Sequence, residues 1–185
     1  MKSSLVMILG LSLGAGAAAL AKSKPHKTAG GAIEAKSGAT LTGKAEFRQA
    51  DGSKDVVVKI DVEKAPPGEH AVHIHEKGDC SSPDGKSAGG HWNPANEAHG
   101  QWGHDHFHLG DIGNMKVGED GKGTITLTTD KWTVGGGGAN DVVGKAIIVH
   151  EKIDDFTTQP TGNAGNRLGC AVIAEQQGSP AKTTK

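Results

Sequence analysis

Residues 56–62 read VVVKIDV, and their alternation decides the fold class: Val56, Val58, Ile60 and Val62 fall on one side, Val57, Lys59 and Asp61 on the other. A period of two belongs to a half-buried β-strand, not to a helix. Upstream, residues 39–48 (ATLTGKAEFR) alternate in the same way, and Ala50-Asp51-Gly52-Ser53 supplies a turn between the two runs. A first strand is expected near 32–37. Downstream, Pro66-Pro67-Gly68 turns the chain into 70–76, and Glu119-Asp120-Gly121 separates 111–117 from 123–128 as a hairpin signal. Four glycines at 135–138 precede 142–150 (VVGKAIIVH), and 168–174 closes the series. Helical periodicity is absent. The reading is all-β, about eight strands, the number expected of an antiparallel sandwich or closed barrel.

Composition agrees. The chain has 185 residues, enough for about one domain, and its 29 Gly without a period of three suit many tight turns. Twenty basic and 21 acidic residues give a formal charge of −1, which excludes a strongly cationic nucleic-acid binder. Two cysteines exclude a disulfide-dense miniprotein.

The ends are expected to lie outside the fold. Residues 1–21 (MKSSLVMILGLSLGAGAAALA) carry one Lys, an apolar run over 5–20 and a small-residue cleavage site at Ala19-Leu20-Ala21. That run is shorter than the roughly 20 residues a bilayer core needs, so the expectation is a removed signal peptide, export to the periplasm and no stable membrane insertion. Residues 22–30 and 178–185 are polar and are expected to be flexible tails around a domain at 31–177. The signal and tails hold six Lys; the domain keeps 14 basic against 21 acidic residues. In a net-negative body, the local placement of positive charge matters for any anionic substrate.

Two segments are too long for simple turns, 77–110 and 151–167, and the chemistry is sought there. Ten His beside two Cys point to metal. His73 and His75 lie two apart on an expected strand, so both rings share one face, and neutral imidazoles suit copper or zinc. His150, at the end of its strand, is a candidate third ligand. The first long segment adds His91, His99 and His108 with Asp111, the ligand types of a closed tetrahedral zinc site. Such a site also organises a polar loop, because metal-binding energy becomes folding energy.

Five ordered motifs then resemble one family. Residues 68–80 (GEHAVHIHEKGDC) look like the copper-binding strand and loop start of copper/zinc superoxide dismutases, and 90–94 (GHWNP), 108–114 (HLGDIGN), 149–152 (VHEK) and 162–170 (GNAGNRLGC) follow in that family's order. The resemblance spans roughly 32–174 and implies an eight-stranded antiparallel Greek-key barrel or sandwich with two long functional loops. It implies copper on His73, His75, His91 and His150, and zinc on His91, His99, His108 and Asp111, with His91 bridging the two ions. It makes Asp154 the carboxylate that bonds one copper and one zinc histidine, with Asp155 as the adjacent alternative, and Arg167 the active-site arginine that holds superoxide. Cys80 and Cys170 are the pair that the family joins by a disulfide.

His70 falls on the opposite face from His73 by parity and is a non-ligand position by the resemblance. His104 and His106 have no counterpart among the family's ligands, and a polar loop is favoured over a surface metal site there. The export signal and the position of Cys80 look more like the bacterial periplasmic branch. Monomers and homodimers are both found in such families, so the assembly is left open. A copper-binding domain without catalysis and a zinc-binding module are the alternatives; the first would be marked by loss of a copper ligand or of the arginine, and neither is lost.

Overall fold

The computed structural model describes residues 26–176. The expected signal peptide, residues 22–25 of the first polar segment and residues 177–185 lie outside the described residues. The decisive alternation becomes β3 (Val56–Glu63), which buries Val56, Val58, Ile60 and Val62 and leaves Val57 and Lys59 exposed. It pairs antiparallel with β2 (Thr42–Ala50), Val58 opposite Phe47, and with β6 (Gly123–Thr129), Val58 opposite Leu127.

The remaining strands are β1 (His26–Ala35), β4 (Gly68–His75), β5 (Asp111–Val117), β7 (Ala146–His150), β8 (Arg167–Val172) and β9 (Ala174–Gln176). Eight of them form a ring in the order β1-β2-β3-β6-β5-β4-β7-β8, which β1 closes by pairing with both β2 and β8. The meander β4-β5-β6 is thus inserted between β3 and β7, which gives the Greek-key crossovers. Closure gives each of the eight strands a neighbour on both sides, although β5 and β6 meet only at Val117 and Gly123. The short β9 continues β8 beyond Ile173 and pairs with Thr28, Ala29 and Gly30 of β1.

The barrel interior is filled by the inward residues of the strands, among them Ile33, Phe47, Ile60, Val72, Ile74, Met115, Ile147 and Val149. Trp132 is fully buried against Phe47, with ring centroids 6.0 Å apart, and its indole N–H donates to the Leu109 carbonyl at 3.0 Å. A separate small cluster of Ala88, Ala146, Ile148 and Cys170 lies on the outer face, under the long loop after β4.

Two boundaries differ from the sequence expectation. Pairing begins at His26, inside the segment 22–30 expected to be a tail, because both edges of that stretch are used: β2 on one side from Ala50 to Glu46, β9 on the other. Ala29 also enters the core, at 1% exposure. The strand expected over 142–150 begins only at Ala146, since Gly144 has φ +82° and the preceding amides of Gly135, Gly137 and Val143 all donate to the Asp141 carboxylate. The only helical piece among the described residues is the single 3₁₀ turn Lys86–Ala88.

Candidate metal centre

Strand parity places the first ligands. Along β4, Val72 and Ile74 enter the barrel, and His73 and His75 emerge on the other face, buried at 0% and 1% exposure beneath the loops. Along β7, Ile147 and Val149 point inward, which sends His150 to that same outer face. A register shift after Val149 then sets His150 opposite Arg167, the first residue of β8.

The first long loop returns to the edge of β4 to deliver the bridge. His91 pairs with His75, the Trp92 amide donates to the Ile74 carbonyl at 2.8 Å, and the Glu76 amide donates to the Gly90 carbonyl at 3.0 Å. Asp111 opens β5 directly opposite His73. Its carboxylate is fixed by the backbone: the amides of His108 and Gly100 donate to Oδ2 at 2.8 and 3.2 Å.

Two ligand sets result, His73, His75, His91 and His150, and His91, His99, His108 and Asp111, each with donor atoms within 4.8 Å of one another and every member buried. On the second side, His91 Nδ1 and His108 Nδ1 lie 2.8 and 3.2 Å from Asp111 Oδ1, and His99 Nδ1 lies 3.0 Å from Oδ2. On the first side, the Nε2 atoms of His75 and His150 face each other at 3.4 Å.

The outer hydrogen bonds choose which nitrogen each ring presents. His73 Nε2–H and His99 Nε2–H donate to the two oxygens of Asp154, both at 2.8 Å. His75 Nδ1–H donates to the Gly89 carbonyl at 2.9 Å. Asp154 is itself gripped by Asn114, whose amide donates to the Asp154 carbonyl at 2.9 Å and accepts its N–H at 2.7 Å. Gly162, with φ +66°, passes so close to the Asp154–His99 bond that a Cβ there would collide with both partners.

Buried polar atoms test whether metals fit. His73 Nδ1, His91 Nε2 and His150 Nδ1 are buried without a hydrogen-bond partner, and His99 Nδ1 has only its contact with the Asp111 carboxylate at 3.0 Å, which is costly unless something else satisfies them. Those of His73, His91 and His99 belong to the two ligand sets, and four imidazoles on one side and three with a carboxylate on the other suit copper and zinc. The electrostatics agree. Burial and the neighbouring rings hold His75 and His150 well below the usual histidine range, and burial pulls His91 down to about 4. His75, His91 and His150 are therefore neutral imidazoles, the ligating form. Burial resists ionisation of Asp111, but bonds from His108, His91 and His99 overcome it and hold the carboxyl far below its ordinary range. For His99, burial is outweighed by Asp111 and Asp154, which raise it to about 9, a positive charge where zinc would sit.

Arg167 stands beside the copper side. It is half-buried, and its two terminal N–H groups donate to the carbonyls of Gly85 and Gly89, each at 2.8 Å. The Gly89 carbonyl thus accepts from both Arg167 and the copper-side His75. The Cys80–Cys170 disulfide, with Cα atoms 5.8 Å apart, ties the start of the first long loop to β8, three residues beyond Arg167.

The structure brings together every site residue expected from the sequence. It also separates the neighbours: Asp154 bonds the two rings, whereas Asp155 accepts from Thr157 and Thr158 within its own loop. His70 sits between the carbonyls of Pro66 and His150, 2.8 Å from each, outside both ligand sets. His104 and His106 are exposed, with His106 against Glu97 at 3.0 Å. Asn114, Gly85 and Gly89 carry functional contacts that sequence reasoning assigned to none of them. Asn114 had one signal, since asparagine is depleted inside strands.

Comparison with known proteins gives the same reading. Residues 41–173 match the family described as copper/zinc superoxide dismutase (SODC). The chain is 37% identical to superoxide dismutase (Cu-Zn) 5 of Dictyostelium discoideum over 134 residues, covering 69% of this chain and 86% of that one. It is 35% identical to the extracellular superoxide dismutase (Cu-Zn) of Drosophila melanogaster over 139 residues, 72% of this chain and 75% of that one. Among solved structures, the clock protein EA4 superposes with a TM-score of 0.70 at 31% identity, over 92% of this chain and all of that one. Matched along its barrel and carrying both ligand sets with His91 in common, the chain belongs to the copper/zinc superoxide dismutase family.

Proposed function

We propose that this copper/zinc superoxide dismutase is exported, cut after Ala21, and removes superoxide in a bacterial periplasm. The leader-like residues 1–21 and the extracellular Drosophila relative support export. The observation that carries the catalytic reading is His91 shared between the copper and zinc sets.

When bound, copper supplies a one-electron couple, by which one superoxide ion is oxidised to dioxygen and a second, with two protons, is reduced to hydrogen peroxide. The chain supplies the rest. Arg167 presents its fork of donors to the anion from a fixed position, because two of its N–H groups are already committed to the Gly85 and Gly89 carbonyls. In a body with more acidic than basic residues, this local positive charge is what draws the anion in. His91 takes up a proton at Nε2 between the half-reactions and passes it to the second, and solvent provides the other proton. Its Nδ1 stays directed at the zinc side, beside Asp111 at 2.8 Å, so the ring keeps its place throughout.

Two measurements test this reading. Expression of the whole chain in a Gram-negative host is expected to yield a periplasmic protein beginning at Lys22; an uncut cytoplasmic product would contradict export. Arg167→Gln is expected to lower the rate with superoxide roughly tenfold at low salt, as expected for losing a charge-assisted bond. An unchanged rate would remove Arg167 from the reaction.

A further inference from the structure

The zinc ligands are not held equally well. His91 is paired to β4, Asp111 belongs to β5, and the His108 amide is bound by the Asp111 carboxylate. His99 has none of these supports. It is 3% exposed, and its backbone groups need partners that its own loop does not give. Both partners come from one side chain on the other long loop: Gln159 accepts the His99 N–H at Oε1 and donates from Nε2 to the His99 carbonyl, each at 2.9 Å across 60 residues of sequence.

The turn that presents Gln159 is built by Asp155. Its Oδ1 accepts the amides of Thr157 and Thr158 at 3.0 and 2.8 Å, its Oδ2 accepts the Thr158 hydroxyl at 2.6 Å, and the Asp155 amide donates to the Gly162 carbonyl at 3.0 Å. Gly162 in turn donates to the Thr158 carbonyl at 2.7 Å, closing the turn. The adjacent carboxylates therefore divide the work: Asp154 orients the rings of His73 and His99, and Asp155 sets the turn from which Gln159 grips the His99 backbone.

We propose that Gln159 is a positioning residue for the zinc site, a two-bond amide clamp that holds the His99 backbone so that its ring meets zinc. The clamp slows zinc loss, and it does so from the same loop that ends in Arg167. This inference rests on the zinc assignment of His91, His99, His108 and Asp111.

The test uses the full chain loaded with copper and zinc, and two variants. Gln159→Ala removes the amide; Gln159→Met keeps the length and packing but neither hydrogen bond. Zinc release into a chromogenic chelator, copper release, and the visible spectrum with cobalt in the zinc site are followed for each. Gln159 is exposed, so the barrel is expected to survive both changes, as circular dichroism of the metal-free forms would show. The expected result is zinc release about tenfold faster in both variants, the lower end of what outer supports of a metal ligand contribute, with a shifted cobalt spectrum and a smaller change in copper release. Release within about twofold of the parent in both variants, restoration by Met, or equal acceleration of copper would overturn the clamp. A parent chain that takes up no zinc would overturn the zinc assignment itself, and the clamp with it.

Discussion

The two faces of the sheet are held together by different physics. Inside the barrel, Val58, Ile60, Val72, Ile74 and Val149 meet other apolar side chains, and stability is a matter of area removed from water. Outside, where the two long loops lie on β4 and β7, there is little apolar area to bury: Ala88, Ala146, Ile148 and the disulfide make up the whole cluster. The outer face is organised instead by directed bonds, namely Asp154 to two rings, Asn114 to Asp154, and Arg167 to two carbonyls. The rigid layer supplies parity, and the polar layer supplies the final aim of each ring.

If that division is right, perturbations on the two faces should separate. The disulfide closes a separation of 90 residues, and Cys80→Ser with Cys170→Ser is expected to cost about 4 to 5 kcal/mol of unfolding free energy from the unfolded-chain entropy it releases. Denaturant melts of oxidised and double-variant protein, both free of metal, would check this; equal midpoints would show that the bond shapes the loop without stabilising the fold. Inside the barrel, Phe47→Ala is expected to cost about 3–5 kcal/mol, with the same loss in metal-free and metal-loaded protein, since Phe47 packs against Trp132 in the core and belongs to neither ligand set. A loss confined to the loaded form would break the comparison.

Asp154→Asn is the matching change outside. It keeps the size of the side chain and removes the charge that orients His73 and His99, so chelator competition is expected to show metal affinity lowered 10–100-fold, or about 1.4–2.7 kcal/mol.

The last effect concerns pH in the metal-free protein. His75, His91 and His150 are depressed by burial, so the unfolded chain binds more protons below its histidine value near 6.5, and stability is lost as pH falls from there toward about 4, the value of His91. His99 is raised to about 9, so its contribution is present below that same unfolded value and is lost as pH rises toward 9. The metal-free melting temperature should therefore peak between these limbs, and metal loading should flatten the curve. A curve unaffected by loading would show that these rings are not the groups that titrate.

What was readable in the sequence follows the same division. VVVKIDV and VHIH are local patterns, and parity alone carries Val58 inward and His73 outward. The start of β1 at His26 was not readable, because it depends on β2 and β9 coming to either side of a polar stretch. Asp154 and Asp155 could not be told apart from sequence, since only the path of the loop decides which carboxylate meets His99. Gln159 had no local signal at all: its partner is 60 residues away, and the partner's backbone, not its side chain, makes the bonds.

The most direct test of catalysis at the shared His91 centre is the decay of superoxide after a radiolytic pulse, followed for the chain loaded with both metals and again after copper alone is removed. The expected decay lies near the diffusional ceiling of about 10⁸–10⁹ M⁻¹ s⁻¹, for which superoxide dismutases are a standing example, and is lost with copper while zinc stays bound. Fully loaded protein that removes superoxide no faster than the same amount of free copper would contradict catalysis there.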